Sequence, residues 1–490
     1  MASIATIVLF GIALAAVQLL RTRYNALRHI PGPLLATVSN IWKVRAVYRE
    51  KIHLASIDVH RKYGPVVRIG PHHVSLSSPE AFSTVHACRT AFPKSRFYEV
   101  GAPTFRGTRV ENLFSIRHVH YHALLRKNIG SLYTKAAVRL FEPQISNCVE
   151  MFICQMRNNT GRPLDMSLWL HLYAYDSLGA VNVSRGLGFL NSGSDVGGMI
   201  KSADRILYMV GLLTQAPSLH YLFGILRSLV PAERVEPILL VVFNVVDERL
   251  KSREKKTDIL DRFLALHESD PDKVSVGELT AAIFINLMAG HDVLATTLRA
   301  VWYYLAQDPH IMRKLHAEIA AARIQEHLND SDDAHLSYEK AASLPYLDAV
   351  LHETFRMHPP TGTILERKVP DQGTTIDGYK LPAGTIVGVN AWALHRDPSV
   401  FGADVDAFRP ERWIKSSPQQ RMEMKKFLFT FGAGAHTCIG QHIAMIQITN
   451  VVAEFFYRFS ISLANPEKAW KVTGSWVTKQ TDMDMIVTPL

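Results

Sequence analysis

The stretch FGAGAHTCIG, residues 431–440, places a single cysteine, Cys438, in a run of small residues. Its glycines allow the backbone to approach a neighbouring group closely. The apolar run at residues 439–451 predicts a helix, and the free N–H groups and dipole at a helix N-terminus favour a thiolate. The stretch therefore indicates a sulfur held tightly by backbone, for which the plainer alternative is a buried structural cysteine.

The chain has the composition of a globular protein. Of its 490 residues, 48% are hydrophobic and 20% are charged, a balance that argues against disorder. Its four cysteines are scattered, which excludes a disulfide framework and a zinc site of paired cysteines and indicates a reducing compartment. The net charge of +10 suits nucleic acid, an anionic membrane or an acidic protein, but no basic tract is dense enough to favour nucleic acid.

The N-terminus predicts a membrane anchor. Residues 2–20 carry no charge, and a membrane-spanning helix needs roughly 20 apolar residues. Three arginines follow at once, and positive charge on this flank alone predicts a retained anchor with the bulk of the chain in the cytosol. The alternative is a cleaved signal peptide, which usually carries positive charge before the apolar run. We expect an anchor at residues 1–20, a basic, proline-containing hinge at residues 21–33 and a globular domain at residues 34–490.

Helical patterns dominate the rest of the sequence. The longest predicted helix opens at the capping box Ser275–Glu278 and extends to about residue 306, where Asp308 and Pro309 end it. It is apolar on nearly all sides, so we expect it to be the central buried element. Strand signals appear only at residues 374–379, around an Asp-Gly turn, and at residues 385–389. The sequence therefore predicts a mostly α domain with a small β portion.

The cysteine stretch resembles the haem-binding signature of the cytochromes P450. The matching residues are Phe431, Gly434, His436, Cys438 and Gly440, and Ala444 also fits the pattern. The resemblance extends over essentially the whole chain after residue 31 and implies the cytochrome P450 fold, here preceded by an N-terminal transmembrane helix. It also implies haem b as the cofactor, with Cys438 as the axial thiolate ligand of the iron. A thiolate ligand favours O–O cleavage, so the family is suited to oxygen activation.

Two further motifs occur in the order that this family shows. Glu353 and Arg356 stand three apart in LHETFRMHPP, and an isolated pair of this spacing is usually a surface ion pair that contributes little. By resemblance, both join Arg412 of the later segment FRPERW in a buried network behind the haem.

Basic residues at family positions are candidates for binding the haem propionates. By resemblance these are His122, Arg126, Arg367 and His436. The planar fork of arginine matches a carboxylate, which favours Arg126 and Arg367 over the alternative that each is a solvated side chain. His436 stands where the family more often has arginine. Because a neutral imidazole offers one donor, we expect a weaker or shared clamp there.

The long helix departs from the family pattern at one position. Ala289, Gly290 and Asp292 match the oxygen-binding groove, in which a glycine inside the helix opens space beside the iron. The resemblance then implies a threonine next to the acid, where its hydroxyl assists proton delivery to oxygen. This chain has Val293 instead, which is nearly the same shape without the hydroxyl.

The missing hydroxyl leaves three functions open. Thr296 and Thr297 lie roughly 4.5 to 6 Å further along the helix axis, too far to substitute without a water or a bend. The first function is an NADPH- and dioxygen-dependent monooxygenase whose proton path uses Asp292, water or substrate. The second is desaturation, dehydration, rearrangement or oxidative coupling on the same fold, where oxygen protonation matters less. The third, a haem- or ligand-binding protein with little turnover, is disfavoured by the intact Cys438, Asp292 and Glu353.

Monooxygenation requires an outside source of electrons. No flavin or nicotinamide fingerprint is evident, so we expect electrons from NADPH to arrive through a separate reductase on the endoplasmic reticulum membrane. The chain would cross that membrane once and keep its catalytic domain in the cytosol. Lys127, Lys425 and Lys426 are candidate docking charges, although a generic solvated face explains them equally well.

The substrate is expected to be an apolar small molecule, because most such pockets are apolar. Segments such as LHRDPSVFGADVDAFRPERW resemble sequences of microsomal enzymes of fungal secondary metabolism, especially the pisatin demethylase-like group. No residue in the sequence identifies the substrate.

Overall fold

A computed structural model describes residues 26–86, 92–102, 104–105, 108–109, 111–215, 237–252, 254–327 and 335–490. The predicted anchor at residues 1–20 and the start of the predicted hinge lie outside these ranges.

In chain order the helices are α1 (Leu34–Val38), α2 (Ile41–Tyr48), α3 (Ile52–Tyr63), α4 (Pro79–His86), α5 (Val119–Ile129), α6 (Lys135–Arg139), α7 (Glu142–Arg157), α8 (Met166–Val183), α9 (Phe189–Ser192), α10 (Met199–Gln215), α11 (Pro237–Ser252), α12 (Ile259–Ser269), α13 (Val276–Gln307), α14 (Pro309–Gln325), α15 (Tyr338–Ala342), α16 (Pro345–Met357), α17 (Ala391–Leu394), α18 (Pro398–Phe401), α19 (Glu411–Lys415), α20 (Pro418–Phe427) and α21 (Gln441–Arg458).

The strands are β1 (Val66–Gly70), β2 (His73–Leu76), β3 (Thr104–Phe105), β4 (Thr108–Arg109), β5 (Pro163–Asp165), β6 (Arg367–Lys368), β7 (Thr374–Ile376), β8 (Tyr379–Leu381), β9 (Ile386–Val389), β10 (Phe459–Leu463), β11 (Lys471–Gly474), β12 (Thr478–Thr481) and β13 (Asp484–Pro489). The domain is thus mostly helical with a small β portion, as predicted.

The predicted central helix is confirmed as α13. The Ser275 hydroxyl accepts from the Glu278 N–H at 3.2 Å, and the Glu278 carboxylate accepts from the Ser275 N–H at 2.7 Å, the reciprocal bonds of a capping box. The helix ends at Asp308, which caps α14 by accepting from the His310 N–H at 2.9 Å. Within the described ranges α13 is the one helix long and apolar enough to cross a membrane, but most of its apolar stretch is buried inside the protein. It is the centre of the helical core.

The main sheet has the strand order β1-β2-β9-β6. β2 runs parallel to β9, and the other two pairs are antiparallel. The predicted Asp-Gly turn joins β7 to β8, and Asp377 and Gly378 both have positive φ (48° and 79°), as a type I′ turn requires. Arg367 lies on β6 at the sheet edge, where it pairs with Val387 of β9. The sheet therefore positions one of the predicted propionate ligands.

The described part of the predicted hinge packs onto the globular domain. Leu27 and Ile30 are buried in the core beside the main sheet. The Pro31 carbonyl accepts a hydrogen bond from the Arg68 N–H at 2.8 Å. A Cβ at Gly32 would lie 2.2 Å from the Arg68 carbonyl oxygen, so the backbone approaches β1 closely here. Burial of the apolar side chains holds the segment against the sheet.

Two apolar cores meet at the cysteine stretch. The larger lies among the helices around α13, and the smaller lies between the main sheet and the segment from α17 to α20. Leu428 packs against both cores, Phe431 packs against the larger and Ala433 against the smaller. The stretch at residues 431–440 is therefore held between the helical and β parts of the domain.

A buried charge cluster ties α21 to α7. His335 contacts the Glu150 carboxylate through Nε2 at 3.0 Å and the Glu454 carboxylate through Nδ1 at 3.4 Å. Arg323 approaches Glu454 from the other side, with Nη1 at 3.1 Å from Oε1. Hydrogen bonds to Glu150 and Glu454 raise the pKa of His335 to about 9. The charged imidazole is thus stabilised in the folded protein.

This raised pKa predicts a pH-dependent stability. The stabilisation is fully present below the ordinary histidine pKa of about 6.5 and is lost as the pH rises through 9, because the unfolded chain releases the proton first. Urea unfolding from pH 6 to 9 should show a loss on the order of 3 kcal/mol from this group, which His335→Gln removes. His120→Gln, at an exposed position, should keep the wild-type slope. Equal slopes in wild type and His335→Gln would contradict the prediction.

Candidate active site

Backbone hydrogen bonds hold the cysteine stretch. The Cys438 N–H donates to the Phe431 carbonyl at 2.7 Å. Thr437 donates to the Gly434 carbonyl through its N–H at 3.2 Å and through Oγ1 at 2.9 Å. The Phe431 ring meets Phe355 of α16 edge to face at 5.6 Å. The loop is thus closed on itself and docked on α16.

The glycines of the stretch differ in what the polypeptide requires of them. Gly434 has φ 63°, and a Cβ there would lie 2.5 Å from the His86 carbonyl oxygen at the end of α4. Gly440 has φ −83°, and no described protein atom lies within 4 Å of a Cβ built on it. The fold of the polypeptide therefore requires glycine at position 434. At position 440 the polypeptide leaves room for a side chain, so a need for glycine there would come from a bound group. Ala444, half-buried in the first turn of α21, donates its N–H to the Gly440 carbonyl at 3.0 Å.

The sulfur of Cys438 is accessible although its neighbours are buried. Phe429 and Ile443 on either side of it have only 5% and 6% of their surface exposed, while Cys438 is exposed. Its helix begins at Gln441 rather than at residue 439. Desolvation by the surrounding protein raises the pKa of the Cys438 thiol, and the Gly440 backbone hydrogen bond and the Arg126 charge oppose this rise. Desolvation therefore opposes the thiolate that the helix N-terminus favours, and the anionic sulfur stays a prediction.

The four predicted propionate ligands come together near this sulfur. Arg126, half-buried on α5, lies close enough to Cys438 for their charges to interact. His122 of the same helix is 3.3 Å from His436, Nε2 to Nδ1. Arg367 is buried and donates to the Tyr98 hydroxyl and to the Glu366 carbonyl at 2.9 Å. Burial and nearby cations lower the pKa of His122 to about 4 and that of His436 to about 2, so both imidazoles are neutral.

Lys94 is a third cation in this cluster, and no sequence motif predicted it. Its ammonium is buried and donates to the Leu113 and Phe114 carbonyls at 2.7 and 2.8 Å. Burial, followed by repulsion from Arg367 and Arg126, lowers the pKa of Lys94 to about 7. The only signal in the sequence is a lysine between phenylalanines in FPKSRF.

These cations have no salt-bridged carboxylate, although the Glu111 charge reaches Lys94 and opposes the lowering of its pKa. No carboxylate in the described part of the chain forms a salt bridge with Lys94, Arg126 or Arg367. A buried cluster of one sign is costly unless a counter-charge is bound. The cluster therefore suits a ligand with carboxylates.

The predicted network around Glu353 is buried. Arg356 binds both Glu353 oxygens, through Nε at 2.9 Å and Nη2 at 2.8 Å. The Arg412 Nε and the Trp413 Nε1 donate to the same carboxylate at 3.3 and 2.9 Å, and the Arg409 backbone N–H donates at 2.9 Å. All donors converge on one carboxylate, so the surface-pair alternative is excluded for Glu353 and Arg356.

One face of α13 is accessible. Ala289 is exposed and Val293 is half-exposed, although this helix is otherwise largely buried. Residues four apart lie on the same helix face, so the two accessible side chains share one face of α13. A Cβ at Gly290 would point elsewhere, 2.7 Å from Leu178 Cδ1 of α8. Gly290 therefore allows α8 to approach α13 closely. The role predicted for this glycine was a different one, to open space beside the iron.

Asp292 also faces α8. Its carboxylate is buried, and Oδ1 lies 3.7 Å from His171 Nε2. The two threonines beyond it have other partners: the Thr296 hydroxyl donates to the Thr478 carbonyl at 2.8 Å, and the Thr297 hydroxyl donates to the Val293 carbonyl at 2.9 Å. Neither hydroxyl replaces the one that Val293 lacks.

The geometry can be compared with known proteins. Residues 30–486 match the family model described as Cytochrome P450. The chain belongs to the cytochrome P450 family. It is 34% identical over 478 residues to cytochrome P450 monooxygenase cicH of Emericella nidulans, covering 95% of this chain and 94% of that protein. It is 31% identical over 476 residues to pisatin demethylase of Fusarium vanettenii, covering 94% and 89%.

The fold agrees with that of a solved cytochrome P450. The haem domain of cytochrome P450DA superposes with a TM-score of 0.76 at 16% identity, over 94% of this chain and 98% of that one. The chain is accordingly an oxidoreductase, as predicted, and its family binds haem through a cysteine thiolate. The residues present fit that group in two ways: Cys438 offers an accessible sulfur, and the unpaired cations beside it suit two carboxylates.

Gly434→Ala is expected to destabilise the protein. The added Cβ meets a backbone oxygen that cannot retreat, and φ 63° is unfavourable for alanine, so the free energy of unfolding should fall by at least about 1 to 3 kcal/mol. Gly130→Ala is the matched control, because Gly130 has φ −59° and open space around a Cβ. Urea unfolding of both variants measures the difference, and equal losses would contradict the explanation.

Glu353→Gln should cost about 3 to 5 kcal/mol of unfolding free energy, because it leaves Arg356 and Arg412 buried without their shared counter-charge. Arg409→Ala is the control. It removes an exposed ion pair with Asp404 but keeps the backbone N–H that binds Glu353, so its cost should stay below about 1 kcal/mol. A loss of similar size in both variants would argue against a special contribution of the buried network.

Proposed function

We propose that this protein is a haem-thiolate monooxygenase that oxidises an apolar small molecule by hydroxylation, epoxidation or multi-step oxidation. The observation that carries the proposal is the accessible sulfur of Cys438 beside buried cations without carboxylate partners, in a chain of the cytochrome P450 family. Relatives named as monooxygenases support the same reaction class. Electrons from NADPH would arrive through a separate reductase.

In this proposal Cys438 would hold haem b through its sulfur, and the chain would shape the site around it. Haem supplies oxygen activation when bound, and the thiolate favours cleavage of the O–O bond. Phe431 and Gly434 hold the loop in place, and Gly440 and Ala444 keep the side toward the helix small. The propionates would be bound by the cluster described above: His122, Arg126, Arg367, His436 and Lys94.

The open face of α13 would border the substrate and oxygen. Ala289 and Val293 present small apolar surface there, and Asp292 next to Val293 is the acid closest in sequence to this face. The wall of the pocket would include the aromatic cluster of Phe97, Phe114 and Trp476, whose rings lie 5.0 to 5.7 Å apart. Such a lining favours an apolar ligand. We take a small molecule of fungal secondary metabolism as the substrate class, because relatives named as monooxygenases come from fungi.

The absent hydroxyl at position 293 keeps a second chemistry in consideration. Desaturation, dehydration, rearrangement or oxidative coupling on the same fold depends less on oxygen protonation, and Val293 favours this alternative. The hydroxyls of Thr296 and Thr297 strengthen this alternative, because each already donates to a backbone carbonyl and does not replace the hydroxyl absent at position 293.

The membrane and the reductase complete the proposal. Residues 1–20 would form a single-pass anchor in the endoplasmic reticulum, followed by residues 21–33 and the cytosolic catalytic domain at 34–490. Lys127, Lys425 and Lys426 are exposed near the cysteine side, where they suit an acidic reductase surface, although Lys425 also pairs with Asp348 at 3.2 Å.

Labelled dioxygen supplied to the native host should test the reaction type. We expect a metabolite that carries label in the wild-type strain and disappears in a Cys438→Ser strain, because serine cannot supply the thiolate. The measurement is mass spectrometry of both extracts. Cys154→Ser, at an exposed cysteine on α7, is the matched control and should leave the metabolite unchanged.

The pattern of label decides between the two chemistries. A product with label absent from the accumulated precursor supports monooxygenation. A product that differs from its precursor only by hydrogen or water, or has equal oxygen, supports the alternative. Retention of a thiolate-type spectrum in the reduced carbon monoxide complex of Cys438→Ser would contradict the assignment of the ligand.

A further inference from the structure

A small cavity lies between α5, α12 and α13. Its volume is about 30 Å³, whereas roughly 10 to 15 Å³ is enough to hold one water-sized molecule. The cavity therefore has room for a molecule of a few atoms. Apolar side chains form most of its wall: Leu113, Leu125, Ile129, Phe263, Ala282 and Ile285.

Two of the polar residues that line the cavity hydrogen-bond to other protein groups. Both N–H groups of the Asn286 amide donate, one to the Tyr133 hydroxyl at 2.7 Å and one to Asn182 Oδ1 at 2.9 Å. The Glu278 carboxylate accepts from the Tyr121 hydroxyl at 2.6 Å through Oε1, and its Oε2 accepts from the backbone in the capping box of α13. The amide donors and both carboxylate oxygens are therefore engaged by protein groups.

A third polar residue of the wall, Asn112, is engaged in the same way. Its Oδ1 accepts from the Phe114 and Ser115 N–H groups at 3.0 and 3.1 Å, and its Nδ2 donates to the Gly101 carbonyl at 2.9 Å. A buried water typically makes about three hydrogen bonds to polar groups that lack protein partners, whereas an apolar cavity stays dry and binds xenon. The wall thus favours an apolar occupant over water.

The cavity lies close to the cysteine but outside the cluster proposed for the propionates. Ile439, the residue after Cys438, lines it. Tyr133, another residue of the wall, lies within electrostatic range of Cys438. The described wall includes none of the side chains proposed to bind the propionates: His122, Arg126, Arg367, His436 and Lys94. The cavity is therefore lined by its own set of residues beside the cysteine.

An accessible stripe of α13 leads from the cavity toward Ala289 and Val293. Ala282 and Asn286 line the cavity. Both are partly accessible, as is Val293, while Ala289 is exposed. Spacings of three and four residues place all four on one face of a helix, and the rise from residue 286 to residue 293 is about 10 Å. A small molecule in the cavity thus lies along the helix face that is expected to border oxygen.

We propose that this cavity binds dioxygen and supplies it along α13 to the face at Ala289 and Val293. The inference rests on the proposed monooxygenase function, which consumes dioxygen. Dioxygen is apolar and diatomic, so it matches both the wall and the volume of the cavity. Binding there forms and breaks no covalent bond and requires no proton or electron.

Xenon is the probe for the cavity, because dry apolar cavities in proteins bind it. Crystals of the full chain loaded with haem and held under xenon pressure should show anomalous scattering from xenon beside Ile129 and Ala282. Ala282→Leu should abolish this signal, since the larger side chain fills the space. Ala321→Leu, at an exposed position of α14, is the matched control and should keep it. No xenon in the wild type, or an ordered water in its place, would overturn the proposal.

Ile129→Val changes the cavity in the opposite direction. It removes one buried methyl group from the wall, and such a deletion is among the mildest core substitutions. The variant therefore tests the site even if Ala282→Leu does not fold. Xenon occupancy at a fixed pressure should rise relative to the wild type. An occupancy equal to or below the wild-type value would count against this location for the site.

Delivery is tested by rebinding of carbon monoxide, a diatomic molecule similar in size to dioxygen, after flash photolysis of the reduced protein. Ala282→Leu should slow the bimolecular phase severalfold, and Ala321→Leu should leave it at the wild-type rate. Xenon should slow the wild type and have no effect on Ala282→Leu, because only the wild type keeps a cavity for it to occupy. Xenon binding without any change in these rates would overturn delivery through the cavity.

The outcomes separate this inference from the proposed function. Slowed rebinding in Ala282→Leu together with an unlabelled metabolite in the wild-type strain supports the cavity and argues against monooxygenation. A labelled metabolite together with wild-type rebinding in Ala282→Leu supports monooxygenation and overturns the proposed route for dioxygen.

Discussion

The position of the cysteine depends on the hydrogen bonds that converge on the Glu353 carboxylate. Two guanidinium groups, an indole and a backbone N–H converge on it. These donors belong to α16 and to the segment of α19, so the carboxylate joins a helix to a chain segment that precedes the cysteine stretch. Phe355 of the same helix then meets Phe431 at the start of that stretch. Because a buried charge without its partners is costly, the whole arrangement forms together or not at all.

The second organising contact is between α8 and α13. Gly290 permits the close approach at Leu178, and the polar residues His171, Tyr175 and Asp292 fill the interface one turn away. An apolar interface would pack as well and would avoid the buried Asp292 oxygen that has no hydrogen-bond partner in the described part of the chain.

Features set by local sequence could be predicted, and those set by long-range contact could not. The capping box, the end of α13 and the Asp-Gly hairpin depend on neighbouring residues, and each lies where the pattern predicted. Resemblance to the family's motifs predicted that Arg126, Arg367 and the Glu353 network belong to the site. Lys94 was missed because nothing local marks a lysine for burial, and only the fold shows what its ammonium contacts.

The state of the sulfur shows the same limit. Proximity to a helix N-terminus predicted a thiolate, but the desolvation that opposes it depends on how deep in the protein the loop lies. The direction of Gly290 depends likewise on the position of α8, which no pattern within α13 reports.

The buried cations around Arg126 couple folding to the supply of a dianion. Like charges gathered without a counter-ion raise the free energy of the polypeptide, and an anionic group that binds only the folded form lowers it by mass action. A haem whose propionates bind Lys94, Arg126 and Arg367 would therefore stabilise the folded chain as well as equip it for chemistry.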